Sequence, residues 1–461
     1  MSHPLYEFVA DLSYPDIPIE ARERVKLSIL DSLCTAVAGS SLGDGAAAVL
    51  RAGREAGGAG SMPAAGFGVG LSPLGAALVN GATSHALNFD MVGPFGAHLG
   101  VVTFAAPSAA AELRGKVSGE EYIAAVTAGA ELMSRMAAAA RDAASGVGGV
   151  HPRLLEGQLL GYFGAAAASA AVLGLDADGV HDAIGLALMQ AAGTMEVVLG
   201  GDVPAKAAYG GFANHGGLLA ASLARAGLRA NMDVFGGKAG VYPYYYGGSL
   251  TDNSALVNGL GTEYRLLESR FKLWPTSGLL HPFIEAVVQW RAGSPAAEIA
   301  RVTVRGPEWL RPWATPQEAR RRPANGAAAS NSLQYALAKA FTAGTVRLSD
   351  LTPTGIADPV ARELADRIDF DEVDDAGDGV EEIAVRLADG TERLLRPAKP
   401  RGSPGQPLPT GDVEDKFLDA LRQGAVPVDS DTAQRVIATV RSLEDLADVR
   451  DLWRLLPGGA A

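Results

Sequence analysis

One cysteine in 461 residues, Cys34, leaves no internal disulfide and too few thiolates for an iron–sulfur cluster, so cluster-dependent dehydration is excluded. Cys34 lies in the apolar run 28–37, where it reads as a packed side chain rather than a reactive thiol. Lysine is nearly as sparse, eight against thirty-one arginines, so a lysine inside an Ala/Gly-rich segment stands out. Only 20% of residues are charged and the net charge is −13, which removes the basic face a nucleic-acid binder needs. An anionic ligand must therefore be held by a few local cations. Residues 1–18 carry Glu7, Asp11 and Asp16 and lack the basic start and apolar centre of an export signal. The uncharged stretch 157–175 has membrane-spanning length but is mostly Ala and Gly, and it reads as a buried helix that neighbours approach closely. A cytoplasmic protein without membrane or nucleic-acid partners is expected.

What is abundant is small and apolar: 48% hydrophobic residues, 57 glycines and a mean hydropathy of +0.12, ample for a folded chain of two or three domains. From about residue 18 to 260 the pattern is helix after helix. Val25, Ile29, Leu33 and Val37 recur at i+4 until Gly39, where this helix should break. Similar blocks follow at 73–87, 119–140, 157–173, 179–192 and 206–226, and the absence of strand alternation predicts an all-helical region. After about 265 the texture changes. Residues 382–387 alternate cleanly, meet Asp389-Gly390, a strong hairpin signal, and continue into 391–396, while 298–305 alternates imperfectly. Helical patterns at 332–341 and 359–368 lie between. The Pro/Gly stretch 397–411 reads as a linker, and the helical tail after it is too short to bury its own face. The fold class expected is mostly α: a discontinuous helical domain, 1–267 plus 402–461, with a smaller α+β domain, 268–401, inserted in it.

Common catalytic signatures are missing. There is no P-loop and no G-x-S-x-G elbow, and the glycines Gly66, Gly68 and Gly70 follow no convincing strand and read as a plain loop. His85, Asp90 and His98 have donor atoms a metal could use, but ordinary hydrogen bonding is the preferred reading. In HALNFDMVGPFGAH (85–98) a helix runs out into a Gly/Pro turn bearing an amide, a carboxylate and an imidazole. Lys206 opens another small-residue helix, either snorkelling to solvent or binding an anion. The tyrosine-rich stretch 241–246 reads as packing.

The ordered set VNGATSHALNFD (79–90), His98, GYFGAAAA (161–168), KAAY (206–209), FKLWP (271–275) with His281, NSLQY (331–335) and KF (416–417) resembles the MmgE/PrpD family over about residues 19–446. The resemblance implies an enzyme without cofactor or metal, a homodimer formed through helical domains, and a site in the cleft between helical domain and lid. It implies small carboxylate substrates from which a proton, water or carbon dioxide is removed or moved. Carried across residue by residue, His98 and Tyr335 match proton-transferring groups, and Lys206 and Lys272 match cations that neutralise substrate carboxylates. The residues alone leave other roles open: surface ion pairs for the lysines, core packing for Tyr335 and a loop cap for His98.

The chain also departs from the family pattern. Asn88 replaces an aspartate, Met91 an acidic residue, Val92 a threonine, Ser277 a histidine and Leu155 the histidine ahead of the helix that carries GYFGA (161–165). His151, four residues before Leu155, fills that role only if the loop is longer here. Asp90 remains, to orient His98 or to act as a substitute base. The expected site therefore comprises His98, Asp90, Asn88, Tyr335 and His151 as catalytic candidates, with Lys206, Lys272, Ser277 and Val92 around the substrate. Lost polar groups favour a more apolar acid than citrate-type substrates, and ordinary dehydration of 2-methylcitrate is not expected. A diverged dehydratase of a small hydroxy acid is the leading expectation. Decarboxylation, proton-shift isomerisation or a catalytically silent binding homologue are its alternatives.

Overall fold

A computed structural model describes residues 3–143, 151, 153–199, 204–248, 254–293, 298–373, 381–406 and 408–458. Two hydrophobic cores organise them. The larger gathers helices from both ends of the chain, and the smaller lies under a four-stranded sheet.

The helix Ile19–Leu42 buries Val25, Ile29, Leu33 and Val37 at its i+4 spacing. It runs straight through Gly39, contrary to the break expected there. A Cβ at Gly39 would stand 2.1 Å from Thr83 O, so the glycine allows close approach of the helix Pro73–Ala86 instead of ending its own. Ile19–Leu42 is apolar and long enough to cross a membrane by length and composition, but 83% of its most apolar stretch is buried in the fold.

Small residues set the other helix crossings too. Gly81 of Pro73–Ala86 meets Gly210 of Ala208–Arg225, and Gly217 of the latter meets Ala165 of Glu156–Val172. Glu156–Val172, which takes in most of the uncharged stretch 157–175, is almost wholly buried between Gly119–Ala143 and Ala208–Arg225. Two helices from the end of the chain, Thr410–Arg422 and Ser430–Arg441, pack on Ile19–Leu42 and add Phe417, Leu421, Val436 and Val440 to the same core.

The first 260 residues are not purely helical. Strands β1 (Ala59–Ala64) and β2 (Val69–Leu71) form an antiparallel hairpin whose turn uses Gly66 and Gly68 at positive φ. Asn80 holds it, accepting from Ala65 N and donating to Pro63 O. Its strands, AGSMPA and VGL, are short and rich in Gly, Ala and Pro, with Met62 and Leu71 as their buried large residues, so no alternation of large apolar residues announced them.

The smaller unit contains β3 (Ile299–Gly306), β4 (Ile368–Glu372), β5 (Glu382–Leu387) and β6 (Glu392–Leu395) in the order β4-β3-β5-β6. β5 and β6 turn at Asp389 and Gly390, whose φ is +86°, as the sequence predicts. The helical pattern 359–368 ends earlier than expected: the helix is Pro359–Ala365, and Ile368 already begins β4, parallel to β3. Helices His281–Gly293, Leu333–Ala343 and Pro359–Ala365 cover one face of the sheet. The two units are tied by backbone pairing of Val92 with Arg270, by Arg24 donating to Ser269 O and by Ala327 N donating to Asp44.

Candidate active site

The helix Pro73–Ala86 ends in a sharp turn made by Asn88, the one non-glycine residue with positive φ (+51°) among the described residues. The chain after it is clasped on several sides. Lys416 Nζ donates to Phe89 O at 2.8 Å and pairs with Asp31 at 2.5 Å, Asp31 accepts from Met91 N, and Val92 exchanges two backbone hydrogen bonds with Arg270. This clasp fixes Asp90, which is fully buried.

Each Asp90 oxygen takes one imidazole: Oδ1 lies 2.9 Å from His85 Nδ1 and Oδ2 lies 2.9 Å from His98 Nδ1. Burial alone would raise the Asp90 pKa, but the two histidines hold it well below the carboxylate range. An ionised Asp90 therefore accepts Nδ1–H from both rings, which leaves Nε2 of each neutral ring without a proton. His85 is sealed away under Tyr209, whose hydroxyl is 2.9 Å from His85 Nδ1, and burial drives the His85 pKa down to about 3. His98 keeps 18% of its side chain exposed and lines a cavity of about 100 Å³. Burial, with Lys272 and Lys206 nearby, lowers its pKa despite Asp90. At neutral pH its free nitrogen is a base. Gly157 leaves room for the ring: a Cβ there would be 3.2 Å from His98 Cδ2 and 3.1 Å from the Tyr209 hydroxyl.

The cavity opens between the two units. Asn88, Val92, His98, Leu155, Met195, Val198 and Lys206 line it from the helical side, and Arg270, Ser277, Leu279, Trp313 and Asn331 from the other. Lys206 is partly accessible yet surrounded by protein, and burial lowers its pKa to about 8, so at pH 7 it remains mostly an ammonium. One end of the cavity is thus cationic and basic, and most of its wall is apolar.

Of the nine residues singled out from sequence, His98, Asn88, Lys206, Val92 and Ser277 line this cavity, with Asp90 directly behind His98. Lys272 does not reach it. Its ammonium is buried, donating to Asn88 O at 2.8 Å and Asn88 Oδ1 at 2.7 Å, and burial together with Lys206, Arg270 and Lys416 lowers its pKa to about 7. The Asn88 amide is therefore occupied, by Lys272 on its oxygen and by Asn331 on its nitrogen at 3.4 Å, and is not a base. Tyr335 also lies away from the cavity: its hydroxyl is 2.7 Å from Asp350 O and 2.9 Å from Gly355 O, the core role the residues had left open. His151 turns into its own loop, where Nδ1 accepts from Arg153 N and Leu154 N and the ring meets Tyr246 edge-on.

Four participants were not singled out. Tyr209 buttresses His85, Glu156 lines the cavity while held by Tyr246 and Arg141, and Asn331 and Arg270 come from the other unit. Tyr209 stood within a quoted motif; nothing in the sequence distinguished Arg270 from thirty other arginines. His85, Asp90 and His98 offer ligand atoms within 4.8 Å of one another. Both Asp90 oxygens are already spent on imidazoles, and the positive charge of Lys206 opposes a cation, so this donor set fits a hydrogen-bonded dyad better than a metal.

Two family models together match most of the chain. Residues 4–253 match the MmgE/PrpD N-terminal domain and residues 274–445 the MmgE/PrpD C-terminal domain. The cis-aconitate decarboxylase-like protein oryM of Aspergillus oryzae is 28% identical, with 98% of this chain and 96% of that protein aligned. Cis-aconitate decarboxylase of Aspergillus terreus is 27% identical over 97% and 94%, and that of Mus musculus 27% identical over 84% and 79%.

Proposed function

The chain belongs to the MmgE/PrpD family, and from that premise we propose that it is a lyase that decarboxylates a carboxylic acid with a substantial apolar portion, using His98 as the proton carrier. The observation that carries this reading is the His98–Asp90 pair opening into a mostly apolar cavity that Lys206 also lines. Lys206 grips the carboxylate that stays. The one that leaves lies against the apolar wall, where a carboxylate loses hydration and neutral carbon dioxide does not. The carbon–carbon bond to it breaks, its electron pair passes into the carbon skeleton, and His98 delivers a proton to the carbon that receives the pair. His98 is neutral in the empty cavity, but a bound anion cancels part of the Lys206 field and raises its proton affinity. Asp90 stabilises the imidazolium and fixes its tautomer. The names of the relatives support carbon dioxide as the leaving group.

The neutral state of His98 favours a second reading, the dehydration expected from sequence. Here the imidazole removes a proton from the carbon beside the carboxylate and returns it to the departing hydroxide. Incubation with a panel of unsaturated and hydroxy di- and tricarboxylic acids in deuterium oxide, followed by mass spectrometry, separates them. Loss of carbon dioxide with one deuteron gained at carbon supports decarboxylation; loss of water alone selects dehydration. No turnover of any acid, with binding retained, overturns both in favour of a binding protein.

A further inference from the structure

Arg270 has a charge that no carboxylate among the described residues answers. Its backbone is pinned to Val92 through hydrogen bonds of 2.7 and 3.0 Å, so the direction of the side chain is set. Nη2 donates to Gly278 O at 3.0 Å; Nε and Nη1 have no partner among the described residues, and no described carboxylate pairs with the guanidinium. Glu268, two residues away, pairs instead with Arg265 at 3.5 Å. Gly278 makes room for this arrangement, since a Cβ there would lie 2.6 Å from Nη2. Burial lowers the Arg270 pKa. A half-buried guanidinium without a counter-ion is costly, and a built pocket wall is where a ligand can supply one.

Its position says which part of a ligand that would be. The site cavity of about 100 Å³ adjoins an outer pocket of about 500 Å³, and Val92, Gly96, Arg270 and Leu279 belong to both. Lys399 lines the outer pocket as a second cation, and Glu268, whose charge is paired with Arg265, lines it too. The inner cavity takes a carboxylate and a few carbons, with Val92 and Leu279 forming an apolar neck beyond them.

Building on the reading of Lys206 as a carboxylate anchor, we propose that Arg270 is a specificity-determining residue that binds a second, distal carboxylate. The substrate class is then an elongated polycarboxylate, with one carboxylate on Lys206, the departing one beside it and a distal one on Arg270 beyond an apolar middle that spans the neck, and not a compact citrate-like acid. Charge-assisted hydrogen bonds to a fork of this kind are strong and directional.

Calorimetric titration of the full-length protein with straight-chain α,ω-dicarboxylates of four to ten carbons, each beside its monocarboxylate of equal length, tests this. In the wild type the diacid excess is expected to peak at one length above five carbons, at about tenfold or more. Arg270→Met should bring that diacid to within about threefold of its monoacid, and Gly278→Ala, which displaces Nη2, should do the same. Equal binding of diacids and monoacids at every length by the wild type, which needs no variant to fold, overturns the proposal, as does an excess that survives Arg270→Met. Lys206→Ala tests the underlying reading separately: it should weaken monoacid and diacid alike, and unchanged monoacid binding removes the Lys206 anchor whatever Arg270 does.

Discussion

Replacing Asn88 with aspartate puts a carboxylate where Lys272 Nζ now lies 2.7 Å from an amide oxygen. In the wild type nothing at that position compensates the ammonium, and its pKa stands at about 7. At an effective dielectric of ~20, a unit charge pair at this separation is worth at most about 6 kcal/mol. Desolvating the new carboxylate opposes part of that, and opposite charges at such range move a pKa by roughly 1–3. Lys272 is therefore expected to titrate at about 8–10 in Asn88→Asp, a change of ~1.4–4 kcal/mol in the free energy of holding its proton. Only eight lysines are present, so isotope labelling at the lysine side chain with Lys272→Arg as the assignment control makes the titration readable by NMR without a substrate. Stability should follow with a definite sign. The unfolded lysine keeps its proton to about pH 10.4 while folded Lys272 gives it up near 7, so the unfolded chain binds more protons and wild-type stability rises between about pH 7 and 8.5. Asn88→Asp should flatten that rise. A wild-type Lys272 that titrates above about 10, or a midpoint unmoved by the aspartate, refutes the reasoning.

His98→Asn, which removes the proton carrier, should lower kcat by roughly 10²–10⁴-fold with little change in KM, measured by initial rates; retention of half the rate contradicts the proposed role. Gly157→Ala should lower kcat about tenfold while leaving the melting temperature nearly unchanged, because the new methyl presses on the His98 ring and the Tyr209 hydroxyl. Lys416→Met leaves Asp31 buried without its cation and should cost about 3–5 kcal/mol in urea denaturation, with much of it recovered in Asp31→Leu/Lys416→Met; a loss under about 1 kcal/mol speaks against the clasp.

Periodicity made the long helices and the Asp389-Gly390 hairpin legible, because each buries one face at a fixed spacing. It misread Gly39, whose purpose lies in the distance to Thr83 on another helix, and it passed over the β1–β2 hairpin, which is held by backbone pairing and Asn80 instead of by large side chains. At the site, Asn88, Asp90 and His98 were visible together because one turn carries them. Tyr335 and Lys272 were carried over from the family resemblance, and the structure spends both on internal partners: two backbone carbonyls for the phenol and Asn88 for the ammonium. Arg270 escaped notice because its significance consists in what does not surround it, and a sequence does not display missing neighbours.

The clasp on the Asp90 loop joins residue 31 to residue 416, so the reacting groups stay unset while the ribosome is still making most of the polypeptide. A nascent chain can stack its early helices as they emerge, but the His98 ring finds its fixed partner only once the late helix Thr410–Arg422 has left the exit tunnel and closed the knot. Competence waits for residues 410–422, and a product terminated before them would be folded in part and chemically mute.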